Sequence, residues 1–317
     1  MKLFDDLNSI RLLYKYMKFD IFEKIVRGSI TYGKSITIII IDKCTLNCNF
    51  CRGGIDDDII NLRTSNKIMD FTTFKTIVDK CAEFGICKFD LSPPIGEPFM
   101  DRGIFDKLDY LEKNKSVSDV LITTNLTLLS EDDLNKLSKY KKLTIHISVY
   151  GCCSDSYKEQ TGRDLFSKFK KNLNILYEFC ESNPSNFKIR FNIRCSLDYE
   201  SEIFLALVKF YSKFGFLLRA NEVSNVNRAG NIATKTDRGI NSKCGICPYG
   251  PGSGGGIDQY GNLLFCPFND IKKVGIVGNI LDLSISDIYD GEKWKTVIEN
   301  HKNNRYVGIC STCDENF

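Results

Sequence analysis

The segment Cys44-Thr45-Leu46-Asn47-Cys48-Asn49-Phe50-Cys51 constrains this chain more than any other. It carries three cysteines at C-x3-C-x2-C spacing, directly after the apolar run Ile36–Ile41. Thiolates are soft ligands, suited to zinc or to iron–sulfur clusters. A structural zinc site closes with a fourth ligand, and a [4Fe–4S] cluster held by protein alone takes four thiolates. Three local thiols leave one coordination position open for a substrate or cofactor. The chain has 14 cysteines in 317 residues and no sign of a secretory leader. In a reducing compartment that number points to metal ligands and buried thiols rather than a disulfide framework.

Composition excludes some classes. Basic residues number 43 against 40 acidic ones, a net charge of +3 that gives no nucleic-acid or membrane-surface footprint. No apolar run reaches the length of a membrane span. The start, Met1-Lys2-Leu3-Phe4-Asp5-Asp6, lacks the basic opening and apolar core of a signal peptide, so a cytoplasmic location is expected. Only His146 and His301 are present, which argues against a Ser/His or Cys/His hydrolase. His146 reads as a core residue of an apolar strand, and His301, in a charged stretch, as a surface one.

Along the chain, residues 1–34 have the mixed spacing of one or two amphipathic helices. From residue 35 to about 221, β-branched runs (36–42, 87–92, 118–124, 142–149, 187–194, 215–220) alternate with helical spacing (71–84, 102–114, 130–139, 163–182, 199–213). Such alternation predicts parallel βαβ units, here an α/β fold of the partial (β/α)6, TIM-like barrel kind. Reactive groups of such barrels gather at the C-terminal ends of strands, which is where the cysteine motif falls. Residues 222–317 differ in character and are expected to form a small Cys-rich domain.

On the cysteine spacing, with Phe50 before the third cysteine, the chain resembles the radical S-adenosylmethionine (radical SAM) superfamily. The resemblance implies a [4Fe–4S] cluster on Cys44, Cys48 and Cys51 whose open iron binds SAM. It further implies an electron from an external reductant such as flavodoxin or ferredoxin, cleavage to a 5′-deoxyadenosyl radical, and hydrogen-atom abstraction. Ser92-Pro93-Pro94-Ile95-Gly96-Glu97-Pro98 stands where the family commonly has Gly-Gly-Glu-Pro, with Ile95 replacing the first Gly. Gly96 and Glu97 are thereby implied to bind the amino group of SAM. Thr124-Asn125-Leu126 stands where Thr-Asn-Gly is frequent, with Leu126 in the Gly position. Asn125 and Ser148 are implied cofactor contacts, each with an ordinary structural reading as turn or strand residue. Arg194, after the fifth strand, is a candidate partner for a carboxylate. Cys152-Cys153 follows the fourth strand, and either thiol is a candidate hydrogen-atom donor.

A second group comprises Cys244, Cys247, Cys266, Cys310 and Cys313, with a Gly-rich stretch at 250–256 that lacks the Gly-Lys-Ser/Thr of a phosphate loop. Ile257–Phe265 reads as a hairpin, and Leu283–Val297 as amphipathic. From spacing alone a four-thiolate zinc site competes with an iron–sulfur cluster. The pattern resembles the extension called SPASM, or its shorter twitch form. That implies one auxiliary [4Fe–4S] cluster on Cys247, Cys266, Cys310 and Cys313, with Cys244 an alternative to Cys247.

Two substrates fit the resemblance: a small polar molecule such as a sugar or aminocyclitol, with the auxiliary cluster accepting an electron, and a ribosomal peptide to be crosslinked, epimerised or otherwise matured. The short segment before residue 35 leans toward the small molecule. A zinc-containing binding module is the alternative from another class.

Overall fold

The computed structural model describes residues 35–52, 67–183, 188–196, 198–220, 245–247, 250–251, 254–267 and 273–313. The expected N-terminal helices, the boundary near residue 222 and Cys244 lie outside the described residues. Two compact units divide the chain: of the described residues, one holds 46–48 and 122–220, the other 35–45, 49–121 and 245–313.

In the second of these, β1 (Ser35–Ile38), β2 (Lys88–Asp90) and the start of β3 (Asp119–Thr124) pair in parallel, with Thr37 opposite Asp90 and Asp90 opposite Leu121. Ile36, Ile38, Ile40 and Ile41 are all buried, as expected for a central parallel strand and its exit, covered on both faces. After β1 come the short α1 (Asn49–Arg52), then α2 (Phe71–Glu83) and α3 (Ile104–Lys113). The α2 helix starts where the Asp70 carboxylate accepts from the Thr73 N–H at 2.9 Å. It buries Phe74, Ile77, Val78 and Cys81, the spacing of one helix face. Beyond β1 the sheet continues through β7 (Gly256–Ile257), parallel to β1, to β8 (Asn262–Leu264) and β9 (Ile276–Asn279), which run antiparallel to their neighbours. The β7–β8 turn is built on Asp258, fully buried, whose carboxylate accepts from the N–H groups of Tyr260 and Asn262 and from Lys273 Nζ at 3.2 Å. Helices α8 (Ile285–Asp290) and α9 (Glu292–Lys302) follow.

In the other unit the order is β6-β5-β4-β3, where β4 is Leu143–Val149, β5 Lys188–Ile193 and β6 Leu217–Ala220. β4, β5 and β6 pair in parallel, with Ser148 opposite Asn192. The helices are α4 (Glu131–Leu137), α5 (Ser154–Thr161), α6 (Phe166–Ser182) and α7 (Glu202–Phe214). Ser130 and Asp133 form a capping box at the start of α4, and Ser201 caps α7.

Strands alternating with helices through β6, then a small Cys-rich part, are the α/β architecture expected from the sequence. Differences are local. Helix α5 is a separate element where the periodicity begins a helix only at 163; its polar sequence, Ser154-Asp155-Ser156-Tyr157-Lys158-Glu159-Gln160-Thr161, buries only Tyr157 and Thr161. The amphipathic 283–297 stretch becomes two helices, broken at Gly291, whose extended φ −66°, ψ 151° ends α8 and starts α9.

Candidate functional site

Cys44, Cys48 and Cys51 occupy the loop leaving β1 and the α1 turn. Cys48 is buried, and Cys44 and Cys51 are half-buried. Backbone bonds fasten the loop. The Glu97 N–H donates to Lys43 O at 2.8 Å in one unit, and in the other the Asn47 N–H donates to Thr161 O at 2.8 Å. Gly162, in the left-handed conformation at φ 65°, lies so close to Asn47 that a Cβ would stand 2.8 Å from its carbonyl oxygen.

The Cys51 thiol donates to Pro94 O at 3.9 Å, bringing it to the loop after β2. There Gly96 packs where a Cβ would stand 2.7 Å from both Ile41 O and Pro93 Cγ. The glycine of Gly-Glu-Pro is thus required by close approach, even with Ile95 in front of it. Glu97 is 1% exposed and caps the turn Pro98–Met100. Asp90 ends β2 and accepts from the Ser92 N–H at 2.8 Å. Burial pushes its carboxyl up to about 6, against the hydrogen bonds from Ser92 that lower it. Sequence reasoning missed Asp90; its place at a strand end beside Ser92 is the signal that marks it.

After β3, Asn125 Oδ1 accepts from the Thr127 N–H at 3.0 Å and from its hydroxyl at 2.6 Å, so this oxygen is engaged in an Asx turn. Leu126 adopts φ 64°, the left-handed conformation that the family's glycine would take freely. Strain of about 1–2 kcal/mol is offset by complete burial of the leucine side chain, which contributes about 1.5–3 kcal/mol. Asn172 Nδ2 donates to Leu126 O at 2.8 Å, fixing the turn.

At the ends of β4 and β5 the polar atoms Ser148 Oγ, Asn192 Oδ1 and Arg194 Nε are buried without a hydrogen-bond partner. Each such atom costs about 1–3 kcal/mol if nothing binds it. Their position, at adjacent strand ends, is where a ligand's polar groups would meet them. Cys152 is half-buried; Cys153 is exposed, and its thiol lies 3.3 Å from Ser156 Oγ at the start of α5. His146 is half-buried in β4 opposite Arg190.

In the C-terminal part, Cys266 and Cys313 are buried and Cys247 and Cys310 half-buried. Gly250 packs on Cys266, with a Cβ 3.3 Å from the cysteine's own. His301, expected at the surface, is 2% exposed and accepts the Cys247 N–H on Nδ1 at 3.2 Å. It shares one face of α9 with Trp294, seven residues earlier, a spacing that would have marked it as inward. Tyr306 packs edge-on to His301 and donates its hydroxyl to Gly245 O at 3.0 Å, while the Gly245 N–H donates to Asn304 Oδ1 at 2.8 Å.

Among the described residues no three Cys, His, Asp or Glu side chains are drawn together as a finished metal site. The donor chemistry nonetheless fits iron–sulfur clusters: two sets of soft thiols, each partly or wholly withdrawn from solvent. Sites of this kind are completed by the metal itself, whose binding is coupled to folding.

Residues 38–184 match the model of the radical SAM superfamily, and residues 244–314 match that of the iron–sulfur cluster-binding SPASM domain. The chain carries a radical SAM domain followed by a SPASM domain. Both domains imply [4Fe–4S] clusters. A relative in sequence is GTP 3′,8-cyclase of Clostridium perfringens, 28% identical over 212 residues, which are 66% of this chain and 62% of that protein. The radical SAM chain thus spans less than two thirds of that relative's length. Among solved structures it is similar to BtrN in complex with AdoMet and 2-DOIA, at TM-score 0.60 and 16% identity, covering 90% of this chain and 95% of that one. It is also similar to Streptococcus suis SuiB bound to precursor peptide SuiA, at TM-score 0.63 and 17% identity, covering 94% and 74%. At these identities the likeness is one of fold. No helix among the described residues is long and apolar enough to cross a membrane.

Proposed function

We propose that this radical SAM enzyme abstracts a hydrogen atom from a small polar, sugar- or aminocyclitol-like substrate. The observation that carries this reading is the pair of buried, unpartnered polar atoms Asn192 Oδ1 and Arg194 Nε. Such atoms call for a ligand rich in hydrogen-bonding groups, since an apolar one would leave their desolvation uncompensated.

In this reading Cys44, Cys48 and Cys51 hold the reducing [4Fe–4S] cluster, with Phe50 flanking the third ligand. Gly96 and Glu97 orient the amino group of SAM, and Asn125 and Ser148 add hydrogen bonds to the same cofactor. Cys247, Cys266, Cys310 and Cys313 hold one auxiliary cluster in the twitch manner, Cys244 being the alternative to Cys247. The bound cluster and SAM supply one-electron chemistry that amino-acid side chains lack. The protein's part is to fix the substrate, exclude water and return or remove one proton. Asp90, with a carboxyl that titrates near pH 6, suits proton transfer. Cys152 or Cys153 would return a hydrogen atom if the reaction is redox-neutral. The external reductant is a flavodoxin or ferredoxin, in keeping with a cytoplasmic location.

The test is to incubate the reconstituted enzyme with SAM, a reductant and ring-deuterated sugars or aminocyclitols, then analyse 5′-deoxyadenosine by mass spectrometry. Deuterium in that product is the expected result. No transfer from any of them, with a mass change on a precursor peptide or on GTP instead, would overturn the reading.

A further inference from the structure

The loops after β4 and β5 bring two thiols together. The ladder between these strands continues past its last register pair, Val149 and Ile193, through the Arg194 N–H donating to Val149 O at 2.7 Å. Cys152 lies three residues beyond Val149, and Cys195 two beyond Ile193. The Cys152 thiol reaches the backbone of the residue next to Cys195, donating to Ser196 O at 3.8 Å. Cys195 is 5% exposed, whereas Cys152 is half-open to solvent.

We propose that Cys152 and Cys195 form a reversible disulfide, with Cys152 the attacking thiol and Cys195 the resolving one. The assignment of roles follows from access and charge. The hydrogen bond from Cys195 is the largest influence on Cys152 and, with the Asp198 backbone and the Ser201 hydroxyl at the start of α7, lowers its thiol to about 6. The same contact, together with burial, raises Cys195. Cys152 is therefore biased toward thiolate, partly accessible to solvent and near a thiol held protonated, the arrangement of redox-sensitive cysteines. Cys153 is the more exposed of the two, but its thiol lies against Ser156 Oγ, not a second thiol.

The oxidant is a low-molecular-weight disulfide. The Cys152 thiolate attacks one of its sulfurs, a mixed disulfide forms, and one small thiolate leaves. Cys195 then gives up its proton to solvent and attacks the Cys152 sulfur, expelling the second half as a thiolate. The two cysteines lose two electrons and two protons in total, and the small disulfide becomes two thiols. The product ties the β4–α5 loop to the β5–α7 loop, beside Ser148, Asn192 and Arg194. The inference stands on the approach of the two loops and is independent of the substrate reading.

The test uses the full-length protein with its clusters reconstituted, kept anaerobic and titrated with oxidised glutathione. Remaining thiols are alkylated, the protein is digested, and iron is measured in parallel. The expected result is a Cys152–Cys195 linked peptide, two hydrogens lighter than its parts and reversed by dithiothreitol, with the iron content unchanged. Cys195→Ser should instead retain a single glutathionyl group on Cys152. In Cys195→Ala, alkylation of Cys152 by iodoacetamide at pH 7 should slow about tenfold, as its thiol returns toward the ordinary range. Persistence of the mixed disulfide while Cys195 is intact, a Cys152–Cys153 link, or recovery of both thiols fully alkylated would each overturn the proposal.

Discussion

The two cysteine regions use one residue type with opposite kinds of support. Cys44, Cys48 and Cys51 fall within eight residues, on a loop whose limbs are pinned by backbone bonds at Lys43 and Asn47. Cys247, Cys266, Cys310 and Cys313 come from separated segments. They are related through side chains: His301 to the Cys247 N–H, Tyr306 and Asn304 to Gly245, and the close packing of Gly250 on Cys266. A loop held at both limbs by backbone bonds is expected to depend less on metal for its form. Segments tied by a few hydrogen bonds depend on what their thiols bind, since metal affinity there is also folding energy.

The largest effect expected from this contrast separates activity from stability. Cys48→Ser should abolish SAM cleavage, reducing 5′-deoxyadenosine to background, while the thermal midpoint hardly moves. Cys266→Ser should do the reverse to the C-terminal part. Hydrogen exchange of residues 273–313 should rise toward that of the chelator-treated parent, with residues 71–113 still protected. Equal loss of protection in both regions would erase the distinction.

A second effect tests how far the strand-end region depends on its own framework. Lys107 and Asp101 form an ion pair at 2.6 Å with side chains 2% and 3% exposed. Asp101→Asn leaves the lysine charge buried and unpaired, which should cost about 3–5 kcal/mol in denaturant unfolding. Cluster content of the folded protein should be unchanged. A loss below about 1 kcal/mol would mean that water reaches Lys107 and the pair is a surface one.

Leu126 gives a smaller effect with a sign that decides between two terms. Leu126→Gly releases left-handed strain of about 1–2 kcal/mol but empties a fully buried site, at about 2–5 kcal/mol for losing a leucine side chain. Net destabilisation of about 1 kcal/mol or more is expected from urea titration. A stabilised variant would show that strain dominates.

The smallest effect is a pH slope. The Asp90 carboxyl is raised to about 6 from an ordinary 3.8, so the native state binds more protons than the unfolded state between those values. Its contribution to stability is therefore present below about pH 4 and is lost as pH rises toward 6. Asp90→Asn should flatten the stability–pH curve in that window, and an unchanged curve would place Asp90 in water.

These contrasts also explain what the sequence could reveal. The strand–helix alternation and the cysteine loop were legible because each is local: β-branched runs, helical spacing and three thiols within eight residues. What was not legible depends on contacts between distant segments. His301 reads as a charged-stretch residue until Cys247, 54 positions away, donates to it. Helix α5 has too few buried positions to show a period. The approach of Cys195 to the Cys152 loop depends on the β4–β5 register, which no local pattern reveals. The departure at Leu126 looked like a weakened motif, yet the backbone keeps the motif's left-handed turn with a different side chain.

The most direct measurement is iron and sulfide after anaerobic reconstitution, in the parent and in a variant with Cys44, Cys48 and Cys51 all changed to Ala. Two independently supported clusters predict about eight irons in the parent and about four in the variant. About four in the parent and none in the variant would contradict the account, because the C-terminal cysteines would then hold no iron–sulfur cluster.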